Sequence, residues 1–461
     1  MKKLLILLFG AVLISACSLV SKYKTPEMDL PEATSDLSQY SVFNQQQWWT
    51  IFDDEVLNML EDTALQYNKD LVMAMARVDQ ARAQAGVVAA DRVPSVDLKA
   101  GGGAAGDTSG AASTQSYTGS VHVSYELDLW GKYRNLSEAA RSKLLATEAE
   151  KDVVRLTLTS DVAKTYFAVR TLDSQIATAK RTLESREESV RIYKVRLDNG
   201  LIGELDLRRV EAERDSVKAQ LLEMQKNLSK NETALSVLIG ASPRDIVKNE
   251  IGRGKELEHL TLVPDIPSEV PSDILLTRPD VRVAEYNLMA AHANVGAARA
   301  AYFPAISLTG QGGVGSSALS NLFSNGLWNF AANLATPIFQ GGKIKAEVEE
   351  YSAKERELVA NYEKTVQNAF KDTYDALTAN RINRQTYEAA HNQSQALSRS
   401  LDLVKKQYDA GLVSLLDVLD VERNFLSAQI NEASVIQNEL NGVVDVSKAL
   451  GGGMSVKGTS K

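Results

Sequence analysis

Hydrophobic positions along this chain keep two periods, and each period belongs to a different stretch. Val162, Val169, Ile176, Leu183, Val190 and Leu197 recur every seven residues, and Leu172, Ala179 and Tyr193 fill the intermediate positions. That three-and-four spacing is the seam of a coiled coil. Beyond Asn199-Gly200 the spacing resumes at Val210, Val217, Leu221, Met224, Leu228, Leu235 and Leu238. The seam is narrow, and the other positions are mostly Lys, Arg, Glu, Asp, Gln and Asn. The pattern predicts a helix from about Lys132 to Asp198, a glycine turn, and a second long helix returning along the first. At 1.5 Å per residue the first helix is on the order of 100 Å long, which suits the wall of a tube better than a globule. An isolated antiparallel hairpin is the plainer alternative.

The second period is two. Over residues 116–130, Tyr117, Val121, Val123, Tyr125, Leu127 and Leu129 alternate with Thr118, Ser120, His122, Ser124, Glu126 and Asp128. In the run before it, Val96, Leu98 and Ala100 alternate with Asp97 and Lys99. Later, Ile306, Leu308 and Val314 alternate with Ser307, Thr309 and Gln311, and Trp328, Phe330 and Leu334 with Asn329 and Asn333. These segments are about ten residues long, as a tilted membrane strand requires. A soluble sandwich strand alternates too. Two features favour the membrane: two hairpins are too few strands for a soluble core, and Tyr117, Tyr125, Trp130 and Trp328 lie near strand ends, where interface aromatics sit. Every exposed amide on a strand edge in hydrocarbon costs several kcal/mol. Four strands cannot close and the smallest barrels use about eight, so copies of this chain must share a barrel, as a dimer, trimer or tetramer.

The chain is one unit written twice. Ala81, Ala83, Gly86, Pro94, Gly102, Gly103 and Gly131 fall on Ala291, Ala293, Gly296, Pro304, Gly312, Gly313 and Gly341 at an offset of 210. After a slip of one residue, Gly200, Leu201, Leu205, Asp206, Val210, Glu211 and Gly240 fall on Gly411, Leu412, Leu416, Asp417, Val421, Glu422 and Gly451. Two copies are too few for a solenoid, so the expectation is a pseudo-symmetric pair placed around an axis. Each copy reads as a short Ala-rich helix, a Pro, two strands, a very long helix, a Gly turn and a second long helix. No proline occurs between Pro94 and Pro243 or after Pro337, so nothing interrupts the long helices. The expected organisation is a leader over 1–16, a linker over 17–47, a first repeat over 48–240 with its β-hairpin at about 95–129, a connector over 241–272, a second repeat over 273–451 with its hairpin at about 305–336, and a tail over 452–461. The acidic, Pro-containing connector is expected to pack as a belt around the helices.

The first residues change where the protein goes. Lys2 and Lys3 precede an apolar run over residues 4–14 that ends in Ser15-Ala16-Cys17, the pattern of a secretory signal peptide. The run is about 11 residues, short of the roughly 20 that a spanning helix needs. Cys17 is the only cysteine, and its surroundings resemble a bacterial lipobox with Ile14 in place of the commoner Leu. The resemblance implies acyl chains on Cys17 as the one covalent group, and Ser18 behind it resembles the sorting signal for the outer membrane. A lone Cys also excludes an intramolecular disulfide, so packing and assembly must hold the exported chain together. Formal charge is -8, and losing Lys2 and Lys3 takes it to about -10, which counts against nucleic acid or anionic headgroups as partners.

On several elements the chain resembles the outer-membrane factors of tripartite efflux systems, the TolC-like and OprM-like lipoprotein channels. These elements are Trp48-Trp49 with Phe52-Asp53-Asp54 after it, the run Thr277-Arg278-Pro279-Asp280-Val281, the Ala-rich helices ending at Pro94 and Pro304, and the two Gly-turn segments ending in Asp206 and Asp417. The resemblance implies a mainly α fold with a membrane β-barrel part: four β-strands and four long plus four short helices per chain, in a homotrimer whose 12-stranded β-barrel continues into a 12-helix coiled-coil α-barrel in the periplasm. It also implies a periplasmic adaptor protein and an inner-membrane pump as partners, outer-membrane lipid around the barrel, and a passive gated duct for drugs or other small toxic solutes. No cofactor and no enzymatic activity are expected. Asn199-Gly200 and Ala410-Gly411 would then form the periplasmic mouth. Asp417 and Asp420, one helical step apart, match a pair that lines the constriction, and Tyr408 and Asp206 match residues that tie helices shut. Val413 stands where some relatives carry an arginine of the gate, so that contact does not carry over. Ser414 lies at capping-box spacing before Asp417, and Asp206 suits a helix N-terminus, so both carboxylates also have a local structural use.

Gly310-Gln311-Gly312-Gly313-Val314-Gly315 spells a dinucleotide fingerprint but sits inside a strand with no helix after it. His122, His259, His292 and His391 show no metal-ligand spacing and are expected on the surface or in the lumen. Rival readings are a non-conducting periplasmic coiled-coil lipoprotein, an enzyme on a helical scaffold, and the same duct serving secreted polypeptide or metal ions. The rings of carboxylate expected around a symmetry axis attract cations. Replacing Asp417 and Asp420 by Ala is therefore expected to weaken the cation preference of planar-bilayer conductance, and unchanged selectivity would remove both from the lumen.

Overall fold

The structure is a computed structural model, and it describes residues 23–30, 47–106, 114–248, 251–260 and 275–452. Helices α1 (Glu55–Tyr67) and α2 (Lys69–Ala90) lead into strands β1 (Ser95–Ala105) and β2 (Thr114–Leu127), then α3 (Lys132–Asp198), α4 (Glu204–Leu238) and the short α5 (Pro243–Lys248). The second copy gives α6 (Pro279–Ala300), β3 (Ala305–Ser316), β4 (Gly326–Ala335), α7 (Lys343–Asp409) and α8 (Leu415–Ala449). Among the described residues there are thus four long and four shorter helices with four strands. The duplication is kept to the residue: α3 and α7 are 67 residues each, α4 and α8 are 35 each, and α2 and α6 are 22 each. The extra residue of the second copy falls at Gly341-Gly342, both with positive φ, where the first copy has Gly131 alone. No described helix is long and apolar enough to cross a membrane.

Chain contacts divide the molecule into two compact units, and each takes matching pieces from both copies. The first comprises residues 76–149 and 282–365 with the N-terminal residues through 28. Its centre is one antiparallel sheet in the order β1-β2-β3-β4. The two hairpins expected from the sequence are joined through β2 and β3, with Val123 opposite Gly310 and Tyr125 opposite Leu308. Trp130 lies beyond β2 in the turn before α3. Its ring stacks on Phe303 at 4.8 Å and its Nε1 donates to the Pro304 carbonyl at 2.7 Å. The segment 23–30 docks on the same unit, where the Thr25 hydroxyl donates to Glu285 at 3.0 Å and Tyr23 meets the edge of the His292 ring. His292 also pairs with Glu355 at 2.7 Å, so it is a packed residue rather than a surface one.

The second unit comprises residues 29–75, 150–281 and 366–461. Here the α3 seam meets α4 antiparallel: Ile176 and Ala179 pack with Leu221, and Val190 and Tyr193 with Leu207 and Val210. The two copies share a core of Val162, Tyr166 and Phe167 from α3, Leu235 from α4 and Leu440, Val443 and Val444 from α8. Trp48, Trp49 and Phe52 are buried in that core, with Phe52 edge-on to Phe167 at 4.8 Å. Burying such rings is worth about 1.5–3 kcal/mol each by area, so a five-residue 3-10 turn can anchor the start of the fold. Arg278 is 8% exposed, donates to the Ala449 carbonyl at 3.0 Å and pairs with Asp280 at 2.8 Å. The Thr277-Arg278-Pro279-Asp280 run thereby satisfies a carbonyl at the C-terminus of α8, which the helix itself leaves unpaired.

Part of the expected connector behaves as a strap on this unit. Arg170 Nε donates to the Lys255 carbonyl at 2.9 Å, Arg253 pairs with Asp173 at 2.6 Å and with Glu232, and Leu257 and Leu260 are buried. The fastening point is Asp54, 1% exposed. It caps α1 by accepting from Val56 and Leu57 N–H at 2.8 and 3.0 Å, and it also accepts from the Tyr166 hydroxyl at 2.8 Å and Lys255 N–H at 3.0 Å. Burial and this carboxylate push the Tyr166 phenol above its ordinary value. Asp54→Ala removes the cap and strands a buried hydroxyl and an amide, and it is expected to cost about 3 kcal/mol, whereas Tyr166→Phe, which removes one donor, is expected to cost about 1 kcal/mol. Thermal unfolding midpoints of the two purified variants check the order.

Candidate functional site: the helix turns and the curved sheet

Two places gather polar side chains in ways that a stable fold alone does not require. The first is at the helix turns of the second unit. Both turns end their long helix with a glycine in the left-handed region, Gly200 at φ +69 and Gly411 at φ +73. In each, the next N–H reaches back five residues, Leu201 to the Arg196 carbonyl and Leu412 to the Gln407 carbonyl, both at 2.9 Å. A Cβ would be strained in that conformation, and the pair of bonds is what lets the chain reverse in so few residues.

Of the residues expected here, Tyr408 does tie helices: its hydroxyl lies 2.6 Å from that of Tyr193, joining α7 to α3 within one chain. Burial raises the Tyr193 phenol, and the Tyr408 hydroxyl adds to the shift. Asp206 is not part of this tie and instead sits 3.7 Å from Arg209 on its own helix. Asp417 closes a full capping box with Ser414, accepting from its N–H at 2.8 Å and from its hydroxyl at 2.6 Å. Asp420, one turn on, accepts from Arg423 and from Asn424, each at 3.2 Å. Arg423 also lies 3.6 Å from Glu213 on α4. Sequence reasoning missed Glu422 as a tie. It accepts from the buried Arg186 of α3 and from Lys405 of α7 at 3.1 Å, so one carboxylate of α8 holds two other helices. Its coincidence with Glu211 in the repeat was visible, but the cations come from distant helices and no local spacing shows them.

The second place is the sheet of the first unit. Register sets Val96 against Val123, Leu98 against Val121, Leu308 against Ala332 and Gly310 against Phe330, so these residues of the four strands share one largely apolar face. That face is open: Leu98 is 79% exposed, Phe330 68% and Trp328 85%, and a Cβ at Gly310 or Gly312 would meet nothing within 4 Å. The polar face is tight where β2 meets β3. Ser120 is 7% exposed, and a Cβ on Gly313, its direct partner, would lie 2.6 Å from the Ser120 Cα and 2.3 Å from a backbone oxygen. The outer edges of β1 and β4 have no strand partner among the described residues. Cys17, the expected lipid site, lies outside the described residues. Of the remaining histidines, His391 pairs with Glu432 at 2.6 Å, His122 with Ser120 at 2.9 Å, and His259 lies 3.5 Å from Glu256.

An amphipathic sheet whose outer edges have no strand partner among the described residues, in a chain that also pairs very long helices, defines a protein built to share the wall of a membrane channel. The sequence profile described as outer membrane efflux protein matches residues 60–241 and 270–452, once for each copy, and the chain belongs to that family. It is 34% identical to the cation efflux system protein CusC of Escherichia coli O6:H1 over 96% of this chain and 97% of that one. It is 33% identical to the solvent efflux pump outer membrane protein SrpC of Pseudomonas putida over 97% and 98%. The solved structure of the Neisseria gonorrhoeae MtrE outer membrane channel in its open state superposes with a TM-score of 0.85 at 34% identity, covering 95% of this chain and 99% of that one.

Hydrogen bonds from Ser414 hold the Asp417 carboxyl below the usual aspartate value. A group lowered in the folded state contributes stability above its unfolded value and loses that contribution as pH falls through the folded one. Protection of the amides in the first turn of α8, taken relative to their intrinsic exchange rates, is therefore expected to fall as pH drops below about 4, and Asp417→Asn is expected to flatten that dependence.

Proposed function

We propose that three copies of this chain close one 12-stranded barrel in the outer membrane, and that their long helices form a 12-helix duct leading to it from the periplasm. The observation that carries the reading is the four-stranded sheet with an open apolar face, a polar opposite face and two outer edges that have no strand partner among the described residues. In hydrocarbon those edges must be completed, and sister copies supply the matching strands. An eight-stranded ring of two copies would leave an interior only wide enough for side chains, so a conducting barrel needs at least three. The family resemblance favours three over four.

The duct is passive and performs no chemistry on its cargo. Acyl chains on Cys17 anchor each copy to the outer membrane, and the turns at Gly200 and Gly411 form the mouth that meets a periplasmic adaptor and, through it, an inner-membrane pump that supplies the energy. Asp420 and Asp417 face the narrow entrance, and Tyr408 with Tyr193 and Glu422 with Arg186 and Lys405 hold it shut. The cargo is small toxic solutes, chosen by the pump. Relatives named for cations and for solvents stand at nearly the same identity, which fits a shared duct with cargo decided elsewhere.

Purification of the full-length chain in detergent, followed by native mass measurement and single-channel recording, tests this reading. The expected result is three chains, each carrying acyl mass at residue 17, and discrete conductance steps in planar bilayers. A soluble monomer that never conducts would overturn it.

A further inference from the structure

The acidic groups singled out at the helix turns are already engaged: Asp417 by Ser414, Asp420 by Arg423 and Asn424, and Glu422 by Arg186 and Lys405. The polar face of the sheet is different. Asp97 pairs with His122, His122 with Gln311, and Gln311 with Asn329, so a single unbroken polar row crosses all four strands. The next row on that face is Lys99, Ser120, Gly313 and Leu327. Two residues of strand separate the rows, about 7 Å. Asp97 and Lys99 are both exposed, and neither makes a hydrogen bond or ion pair among the described residues. His122 is held by its own strand, with Nε2 2.9 Å from the Ser120 hydroxyl.

We propose that these two rows are charge rings that decide which ions pass the sheet, with Asp97 drawing small hydrated cations and Lys99 drawing anions. The inference rests on the barrel reading above. On a concave wall backed by low-dielectric hydrocarbon, a carboxylate or ammonium with no partner projects its field into the lumen, because field lines are focused toward the water. His122, Gln311 and Asn329 complete the first ring as uninterrupted hydrogen-bonding groups, so an ion at that level meets polar contact all the way round. In the second ring Gly313 and Leu327 interrupt the polar row, which leaves Lys99 and Ser120 as its polar members.

The test is the reversal potential of the full-length protein in planar bilayers under a potassium chloride gradient near 0.1 M. At that salt the Debye length is about 10 Å, and replacing one charge per copy is expected to change the cation-to-anion permeability ratio about twofold. Asp97→Asn is expected to move the ratio toward anions and Lys99→Gln toward cations, and both shifts are expected to shrink near 1 M, where screening acts within about 3 Å. If Cys17 is acylated through its sulfur, the mature chain has no free thiol, so Gln311→Cys can be modified alone with a membrane-impermeant cationic thiol reagent. A fall in cation conductance after modification supports the lumen-facing row. Conductance that persists with an unchanged ratio in both charge variants, or with no response at Gln311→Cys, overturns the rings and leaves the conduit standing. Absence of any conductance even when Tyr408→Phe and Glu422→Gln loosen the mouth overturns the conduit reading and the rings with it.

Discussion

The structure turns on the backbone amides and carbonyls along the outer edges of β1 and β4. In water such edges are tolerable, because solvent pairs with them. In hydrocarbon they are not, and each unpaired group costs several kcal/mol. The chain builds a sheet whose apolar face carries Leu98, Trp328 and Phe330 in the open, and its edges stop at four strands. One molecule cannot satisfy both facts in a lipid layer. A sheet of this kind placed in lipid must therefore have its edges completed by strands from other copies.

The helices solve a different problem. A 67-residue helix offers little opportunity for a globular core, so its stability comes from a narrow apolar seam and from ties made at intervals. Val190 and Tyr193 against Leu207 and Val210, and Ile176 against Leu221, are such seams. Glu422 with its two cations and the Tyr193 and Tyr408 hydroxyls add polar ties close to the turns. Polar ties suit a place that must loosen, because a hydrogen bond exchanged for water costs about 1 kcal/mol net while a buried seam resists parting over its whole length. The Trp48, Trp49 and Phe52 anchor and the Asp54 fastening occupy the other part of the same unit, where both copies meet in one core.

Membership of the outer membrane efflux family and the internal arrangement support each other. The profile matches twice, and the two matched segments are the two copies that the offset of 210 reveals. The compact units nevertheless cut across those copies. Duplication produced matching halves, and the fold then mixed them: β2 pairs with β3, and α3 and α4 share a core with α8. Neither half holds its sheet or its core alone.

Much of this was legible in the residues, because periodicity is a local property. The seven-residue seam specified α3 over Lys132–Asp198, the two-residue alternation specified four strands and their apolar sides, and Gly200 and Gly411 specified where the helices reverse. Asp417 likewise announced its capping box through Ser414 three residues earlier. What remained hidden depended on partners far along the chain. Nothing near Glu422 points to Arg186 or Lys405, nothing near Asp54 points to Tyr166 and Lys255, and nothing near Trp130 points to its stacking on Phe303. The sequence by itself determined the elements and their amphipathic faces. Only the tertiary structure decided the joining of the two hairpins into one sheet, the alignment of Asp97 with His122, Gln311 and Asn329, and which charges are engaged, because each depends on register and contact between segments that sequence spacing does not relate.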